Sequence, residues 1–166
     1  IGKYSGKIAY ICDRIRRSKG IVFVYSQYID GGAVPIALAL ESMGITRYGR
    51  ASSLFKRPQA TPLNVLTMEP KEDGKPFKPA KYMMITGQKL LTTKKERERG
   101  LLAVTNDDNI NGENVKVIIV SRAGSEGMDF KNIRQMHILD PWYNLNRAEQ
   151  VIGRAVRNKS HCMLPY

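Results

Sequence analysis

Hydrophobic positions along the chain switch repeatedly between a helical and a strand period. Ile8, Ile11, Cys12 and Ile15 recur at i, i+3, i+4 and i+7, which predicts an amphipathic helix from Gly6 to Arg17, ended near Gly20. Ile21-Val-Phe-Val-Tyr25 follows without polar alternation, the pattern of a strand buried on both faces. After a Gly31-Gly32 turn, Pro35 stands near a helix start, Ile36 to Met43 reads as helix and Gly44 stops it. A second apolar run covers Tyr82 to Thr86. Thr93-Lys-Lys-Glu96 then has capping-box spacing and opens a charged helix to about Val104. Val115 to Val120 reads as a third buried strand and Gln135 to Leu139 as a fourth. Asn146-Arg-Ala-Glu149 is a further N-cap signal, before a helix running to about Asn158.

Strands apolar on both faces and separated by helices predict the α/β class, a parallel sheet sandwiched by helices in a single domain. The periodicity is lost between about Arg50 and Lys81. Five of the eight prolines fall there (Pro58, Pro62, Pro70, Pro76 and Pro79), among lysines, so the stretch reads as an insert or long loop with few core residues.

Composition adds a partner class. The 166 residues carry 27 Lys and Arg against 15 Asp and Glu, a formal charge of +12, and 42% are hydrophobic. That content supports a folded core and excludes a disordered basic tail, while no apolar run is long enough to span a membrane. Residues 50–100 alone hold 12 basic and 5 acidic side chains. A polyanion is the expected partner, nucleic acid ahead of an anionic membrane surface; a solvated basic surface is the alternative. Cys12 and Cys162 have no pair spacing, which argues against a disulfide scaffold or zinc ribbon and fits an intracellular setting. Ile1 in place of an initiating Met points to a chain cut from a longer one.

Two segments carry candidate chemistry. A buried strand delivers Ser121, Arg122, Gly124, Gly127 and Asp129 into a loop at a carboxyl end, where open parallel sheets collect ligands. Glycines allow close backbone approach, and hydroxyl, amide and guanidinium groups all bind phosphate; a plain strand-to-helix turn is the alternative reading. In the last helix Arg147, Gln150, Arg154 and Arg157 fall at i, i+3, i+7 and i+10 on one stripe, opposite Ala148, Val151, Ile152, Ala155 and Val156. Aligned guanidinium forks on a core-anchored helix suit the clamping of a phosphoryl group. A phosphate cradle of the P-loop type is missing. Gly2-Lys-Tyr-Ser-Gly6-Lys7 is one residue short of that spacing, and Ile8 stands where a metal-binding hydroxyl is needed. Asp140 ends an apolar strand, but Pro141 follows where a catalytic Glu would stand in such ATPases. His137 and His161 share no ligand spacing, so core packing for the first and surface exposure for the second are expected, and no metal site.

Taken together, these segments resemble superfamily 2 helicases. Gln150-x-x-Gly153-Arg154-x-x-Arg157 is similar to their motif VI and Ser121-Arg-Ala-Gly124-Ser-Glu-Gly127-Met-Asp129-Phe130 to their motif V. Tyr25-Ser26-Gln27 looks like motif IV, and Tyr82-x-x-Ile85-Thr86-Gly87 like the segment between motifs IV and V. Ser5-Gly6-Lys7 and Asp140-Pro-Trp142-Tyr-Asn144 lean toward chromatin-remodelling translocases, whereas Arg154-Ala-Val-Arg157 with Ser160-His161 resembles helicases and transcription-associated ATPases of large cytoplasmic DNA viruses.

The resemblance implies the second of two RecA-like domains, with an N-terminal RecA-like domain of the same protein as partner and holding most of the ATP and Mg2+ contacts. Arg157 would be the arginine finger, Arg154 its partner at the γ-phosphate and Gln150 an orienting group. Gly127 and Asp129 would meet the nucleotide. Ser26, Gln27, Thr86, Gly87, Ser121, Arg122 and Gly124 would lie along a DNA or RNA backbone. The resemblance also implies no membrane partner and a virion or host cytoplasm location. It leaves the 50–81 insert without a counterpart, and the chain ends soon after motif VI, where that fold usually adds a strand. The competing function is a non-enzymatic nucleic-acid-binding module that uses the arginine stripe to grip phosphates. A nucleotide enzyme with a complete site of its own fits least, because the P-loop is missing.

Overall fold

Strand and helix alternate as the periodicity predicts in the computed structural model, which describes residues 2–49, 53–122, 124, 128–156 and 160–164. Helix α1 (Gly6–Arg17) starts at Ser5, whose hydroxyl accepts from the Ile8 N–H, and buries Ile11, Cys12 and Ile15. Strand β1 (Ile21–Ser26) is buried throughout. A single π-turn over Ile29–Ala33 leads into α2 (Val34–Ser42), and Gly44 closes that helix in the left-handed conformation at φ +95°. Then follow β2 (Thr46–Arg47), β3 (Lys81–Ile85), α3 (Lys94–Thr105), β4 (Val117–Ser121), β5 (Ile133–Ile138) and α4 (Leu145–Ala155). The capping box that opens α3 is present in both directions between Thr93 and Glu96.

All strand pairings in the five-stranded sheet are parallel, in the order β2-β3-β4-β1-β5. Alternate residues of the inner strands feed two separate cores. Val22 and Val24 of β1, with Val117 and Ile119 of β4, pack with Ile11, Ile15, Ile36 and Leu40 from α1 and α2. Ile21 and Phe23, with Ile118 and Val120, pack with Val104 of α3 and Val151 and Ala155 of α4. Both faces are covered, so neither can alternate with polar residues. This is the predicted α/β sandwich.

Several boundaries differ from the sequence reading. Strand β5 begins at Ile133, ahead of the expected Gln135, and β2 was not foreseen, because two residues carry no periodicity. The side chain that caps α4 belongs to Asn144, accepting from the Asn146 N–H at 3.0 Å, two residues before the predicted cap. That helix ends at Ala155 rather than near Asn158; Val156 already leaves helical geometry at φ −123°, ψ 70°. Its predicted inner stripe is also half wrong. Val151 and Ala155 are buried, while Ile152 and Val156 are exposed, because an 11-residue helix on a sheet edge buries only a narrow seam.

The largest correction concerns the expected insert. Leu63, Val65, Met68 and Ala80 are buried in the same core as α1 and α2. The stretch is irregular, with isolated antiparallel bridges pairing Leu63 with Pro70 and Asn64 with Pro79. It is pinned under the amino ends of the strands: the Leu63 N–H donates to the Gly44 carbonyl, and the Ala80 N–H to the Leu63 carbonyl. The Glu41 carboxylate secures its start. It accepts from the Ser53 hydroxyl, the Leu54 and Phe55 N–H groups and the Tyr82 hydroxyl. Burial raises the Glu41 pKa, but these bonds outweigh it and hold the carboxyl below its usual 4.5. Proline-rich segments can supply core residues without any periodicity to announce them.

Candidate functional site

Parallel strands direct the loops after Ser26, Ile85, Ser121 and Ile138 to one edge of the sheet, where most of the expected site residues sit. The structure divides them into buried and exposed sets. Ser26 is 0% exposed; its hydroxyl accepts from the Tyr28 N–H at 3.2 Å and donates to the Tyr28 carbonyl at 2.9 Å. A Cβ at Gly32 would collide with that hydroxyl, so glycine there is what lets the turn close. Thr86 is 4% and Ser121 1% exposed, and the Ser121 hydroxyl accepts from the Gly124 N–H at 3.4 Å. Gly124 is buried, and a Cβ on it would run into the Ile85 carbonyl of the neighbouring strand. Of the seven residues expected along a nucleic-acid backbone, Ser26, Thr86, Ser121 and Gly124 are buried in turns, Gln27 is half-buried, and Gly87 and Arg122 are exposed.

Asp140 links two of these loops. The Gln27 N–H donates to its Oδ2 at 2.7 Å, while its Oδ1 is buried with no hydrogen-bond partner. Lys7, from the sequence that imitates a phosphate loop, donates to the Leu139 carbonyl at 2.9 Å instead. On α4, Gln150 and Glu149 are exposed and Arg154 is partly buried. Arg147 stacks over Trp142 at 4.3 Å from the ring centroid, with a buried Nη1 that has no partner. Asp129 is exposed. Gly127 and Arg157 lie outside the described residues.

Tyr25, which the sequence shows only as part of a motif, reports the electrostatics of this edge. Its hydroxyl pKa is raised first by burial and then by Asp140, while Arg147, Arg122 and Arg154 pull it down. Arg122 from the loop after β4 and two arginines of α4 thus act on one buried tyrosine. Spacing could show the Arg147–Arg154 relation on the helix but not that Arg122 joins it, because only the parallel register brings the β4 loop beside β1.

The histidines fall outside this cluster. Burial, then the charge of Arg14, pushes the His137 pKa down, and its Nε2 is buried without a partner. His161, expected at the surface, is partly buried and bonded through both ring nitrogens. Among the described residues no three His, Cys, Asp or Glu side chains converge on a metal-sized site. No described helix is long and apolar enough to cross a membrane.

Comparison with known proteins agrees with this geometry. Residues 68–159 match the helicase conserved C-terminal domain. The chain is 32% identical over 175 residues to a termination factor NPH-I homolog of African swine fever virus, covering 97% of this chain and 24% of that protein. It is 31% identical to a protein named as a helicase in Invertebrate iridescent virus 3, covering 96% of this chain and 14% of that one. It is 30% identical to a protein named as an ATP-dependent RNA helicase in Acanthamoeba polyphaga mimivirus, covering 97% and 24%. The chain therefore spans about a quarter or less of the length of these relatives. With a parallel sheet covered by helices on both faces and a family match over more than half its length, the chain belongs to the helicase conserved C-terminal domain family.

Proposed function

We propose that this chain is the C-terminal half of an ATP-dependent helicase or translocase. It closes on an N-terminal RecA-like domain of the same protein, supplies arginines to ATP hydrolysis and forms part of a nucleic-acid track. The observation that carries the reading is the match of residues 68–159 to the helicase conserved C-terminal domain, on a parallel sheet whose carboxyl edge bears Arg122 and the start of α4 with Arg147. Such an edge offers positive charge to a phosphate while providing no cradle to hold a nucleotide. The names of the relatives, an ATP-dependent RNA helicase and a termination factor among them, support ATP use and a nucleic-acid partner.

Each side chain then has a role in this reading. Arg154 and Arg157 neutralise charge that builds on the γ-phosphate, and Gln150 orients that end of the site. Gly127 and Asp129 approach the nucleotide from the loop after β4. Gln27, Gly87 and Arg122 follow the DNA or RNA backbone, held at fixed spacing by the buried Ser26, Thr86, Ser121 and Gly124 turns. Asp140 keeps the Gln27 loop on the end of β5. ATP and Mg2+ would be held mainly by the N-terminal domain and would supply the phosphoanhydride and a metal to neutralise its charge.

The test separates the halves. The purified 166-residue chain is expected to show negligible Mg2+-dependent ATP turnover, and full-length protein to show turnover stimulated by nucleic acid. Appreciable turnover by the isolated chain that survives further purification overturns the reading.

A further inference from the structure

Residues 1–20 hold six basic side chains against one acidic, and ATP hydrolysis and the track at the carboxyl edge use none of them. Three of the six share one flank of α1 with a tyrosine. Lys7, Tyr10, Arg14 and Arg17 stand at i, i+3, i+7 and i+10, all exposed and clear of the buried Ile11, Cys12 and Ile15. Contacts at both ends and between them lay this flank beside the edge strand β5. The Lys7 Nζ donates to the Leu139 carbonyl, just past the carboxyl end of β5, at 2.9 Å. Between the ends, the charge of Arg14 acts on His137 of β5. At the amino end the Arg134 side chain lies over Gly20, so closely that a Cβ there would meet its Cγ at 2.4 Å. The flank thus runs from the carboxyl edge to the amino edge, about 15 Å from Lys7 to Arg17 at 1.5 Å per residue. Little negative charge interrupts it. Asp13 pairs with Arg17 at 3.0 Å, an exposed pair of small energetic weight. Among the described residues Arg14, Lys19 and Arg134 have no ion-pair partner, and Arg14 lies 5.6 Å from the centroid of the Tyr10 ring.

We infer that this flank is a second nucleic-acid contact, which takes the phosphate backbone of a strand leaving the carboxyl edge and leads it along α1 toward Arg134. Phosphates at about 3.4 Å of axial spacing per strand place about four of them along that length. Arginines beside an exposed aromatic ring suit this partner, because guanidinium forks bind phosphate bidentately and a ring can stack on a base. An anionic membrane fits less well. A helix that binds a bilayer inserts its apolar face, and that of α1 is committed to the core. The inference rests on the proposed reading that nucleic acid follows the carboxyl edge.

The experiment uses full-length protein carrying Arg14→Gln, Lys19→Gln and Arg134→Gln together. A second variant keeps the charge, with Arg14→Lys and Arg134→Lys. A control removes three exposed cations elsewhere, by Lys56→Gln, Arg57→Gln and Lys71→Gln. Binding to single-stranded and duplex oligonucleotides is titrated across a range of salt, with phosphatidylserine vesicles as a parallel probe. The Gln variant is expected to reduce the slope of log affinity against log salt by about two to three and to weaken binding about tenfold at low salt. Its kcat for ATP at saturating nucleic acid should stay within about twofold, with Tm unchanged. The charge-keeping variant should hold the wild-type slope to within about one. A Gln variant whose slope and affinity match wild type overturns the inference, as does an equal loss in the control. Loss of vesicle binding with oligonucleotide binding intact also overturns it and assigns the flank to a membrane surface. If wild type neither binds nucleic acid nor shows ATPase stimulated by it, the parent reading falls and the inference with it. Normal binding and stimulation in both wild type and the Gln variant remove the inference alone.

Discussion

At the amino ends of the strands Glu41, Asn109 and Lys116 find partners, with Asn132 Oδ1 before β5 the exception; at the carboxyl ends Asp140 and Arg147 each keep a buried atom without one. Glu41 accepts from two side chains and two backbone N–H groups. Asn109 donates to the Val104 and Val115 carbonyls and accepts from the Asn114 and Val115 N–H groups. Even Lys116, 1% exposed, donates to the Ser18 carbonyl at 2.9 Å. At the opposite edge Asp140 Oδ1 and Arg147 Nη1 are buried without partners, on side chains whose other atoms are fixed by Gln27 and Trp142. Leaving such groups unmatched costs stability, about 1–3 kcal/mol each, and proteins tolerate that cost where a ligand or partner completes the set. One sheet thus separates the labour: its amino end holds the fold, and its carboxyl end keeps charge available.

The strongest way to break the comparison is to cut the amino-end segment. Deleting residues 56–79 removes Leu63, Val65 and Met68 from the core. Each large-to-nothing loss is worth about 2–5 kcal/mol against a total stability of about 5–15 kcal/mol. The cooperative melting transition should disappear; a deletion variant that still melts cooperatively near wild type would show the segment to be dispensable. Leu66→Ala, at an exposed position inside the same segment, is the control and should leave Tm unchanged.

A single-residue version is Glu41→Gln, which keeps the shape but turns an acceptor toward-pointing oxygen into an N–H2 facing donors. A loss of about 2–3 kcal/mol in chemical denaturation is expected, and a loss below about 0.5 kcal/mol would mean the carboxylate does not hold the Ser53–Phe55 turn.

Lys116 gives a pH signature. Burial depresses its pKa from 10.5 to about 8, with Glu113 opposing the shift and Arg134 adding to it. Between these values the unfolded chain binds more protons than the folded one. The Lys116 contribution is therefore fully present above about pH 10.5 and is lost as pH falls through about 8. Wild type should gain on the order of 1–3 kcal/mol relative to Lys116→Met between pH 8 and pH 10. Parallel stability curves for the two proteins would contradict this.

The smallest effect belongs to the carboxyl edge. Arg122→Ala should reduce the slope of log affinity against log salt by about one for any nucleic-acid sequence, with Tm unchanged. A sequence-dependent loss, or an unaltered slope, would take Arg122 off the proposed track.

Much of the fold was legible because burial on both faces writes itself into unbroken apolar runs such as Ile21 to Tyr25, and because caps such as Thr93–Glu96 are local chemistry. The role of residues 53–80 was not. Its core residues Leu63, Val65 and Met68 are spaced by bridges and turns rather than by any period. The site was legible as motifs but not as surfaces. Ser26, Thr86 and Ser121 look like contacts in a list of polar residues, and only the turn geometry reveals that their hydroxyls point inward. That Arg122 acts on the same tyrosine as Arg147 and Arg154 required the strand register.

The central claim is that Arg154 and Arg157 serve hydrolysis rather than grip. The direct measurement sets steady-state ATPase beside nucleic-acid titrations at fixed salt for full-length wild type, Arg157→Ala and Arg157→Lys. An arginine acting on the transferring phosphoryl group is worth roughly 10³–10⁵ in turnover, and one ammonium cannot replace a planar fork. Both variants are therefore expected to lose nearly all stimulated hydrolysis, while nucleic-acid affinity changes by less than about threefold. Variants that lose binding and keep their maximal hydrolysis rate would contradict the account and assign the stripe to a nucleic-acid-binding module.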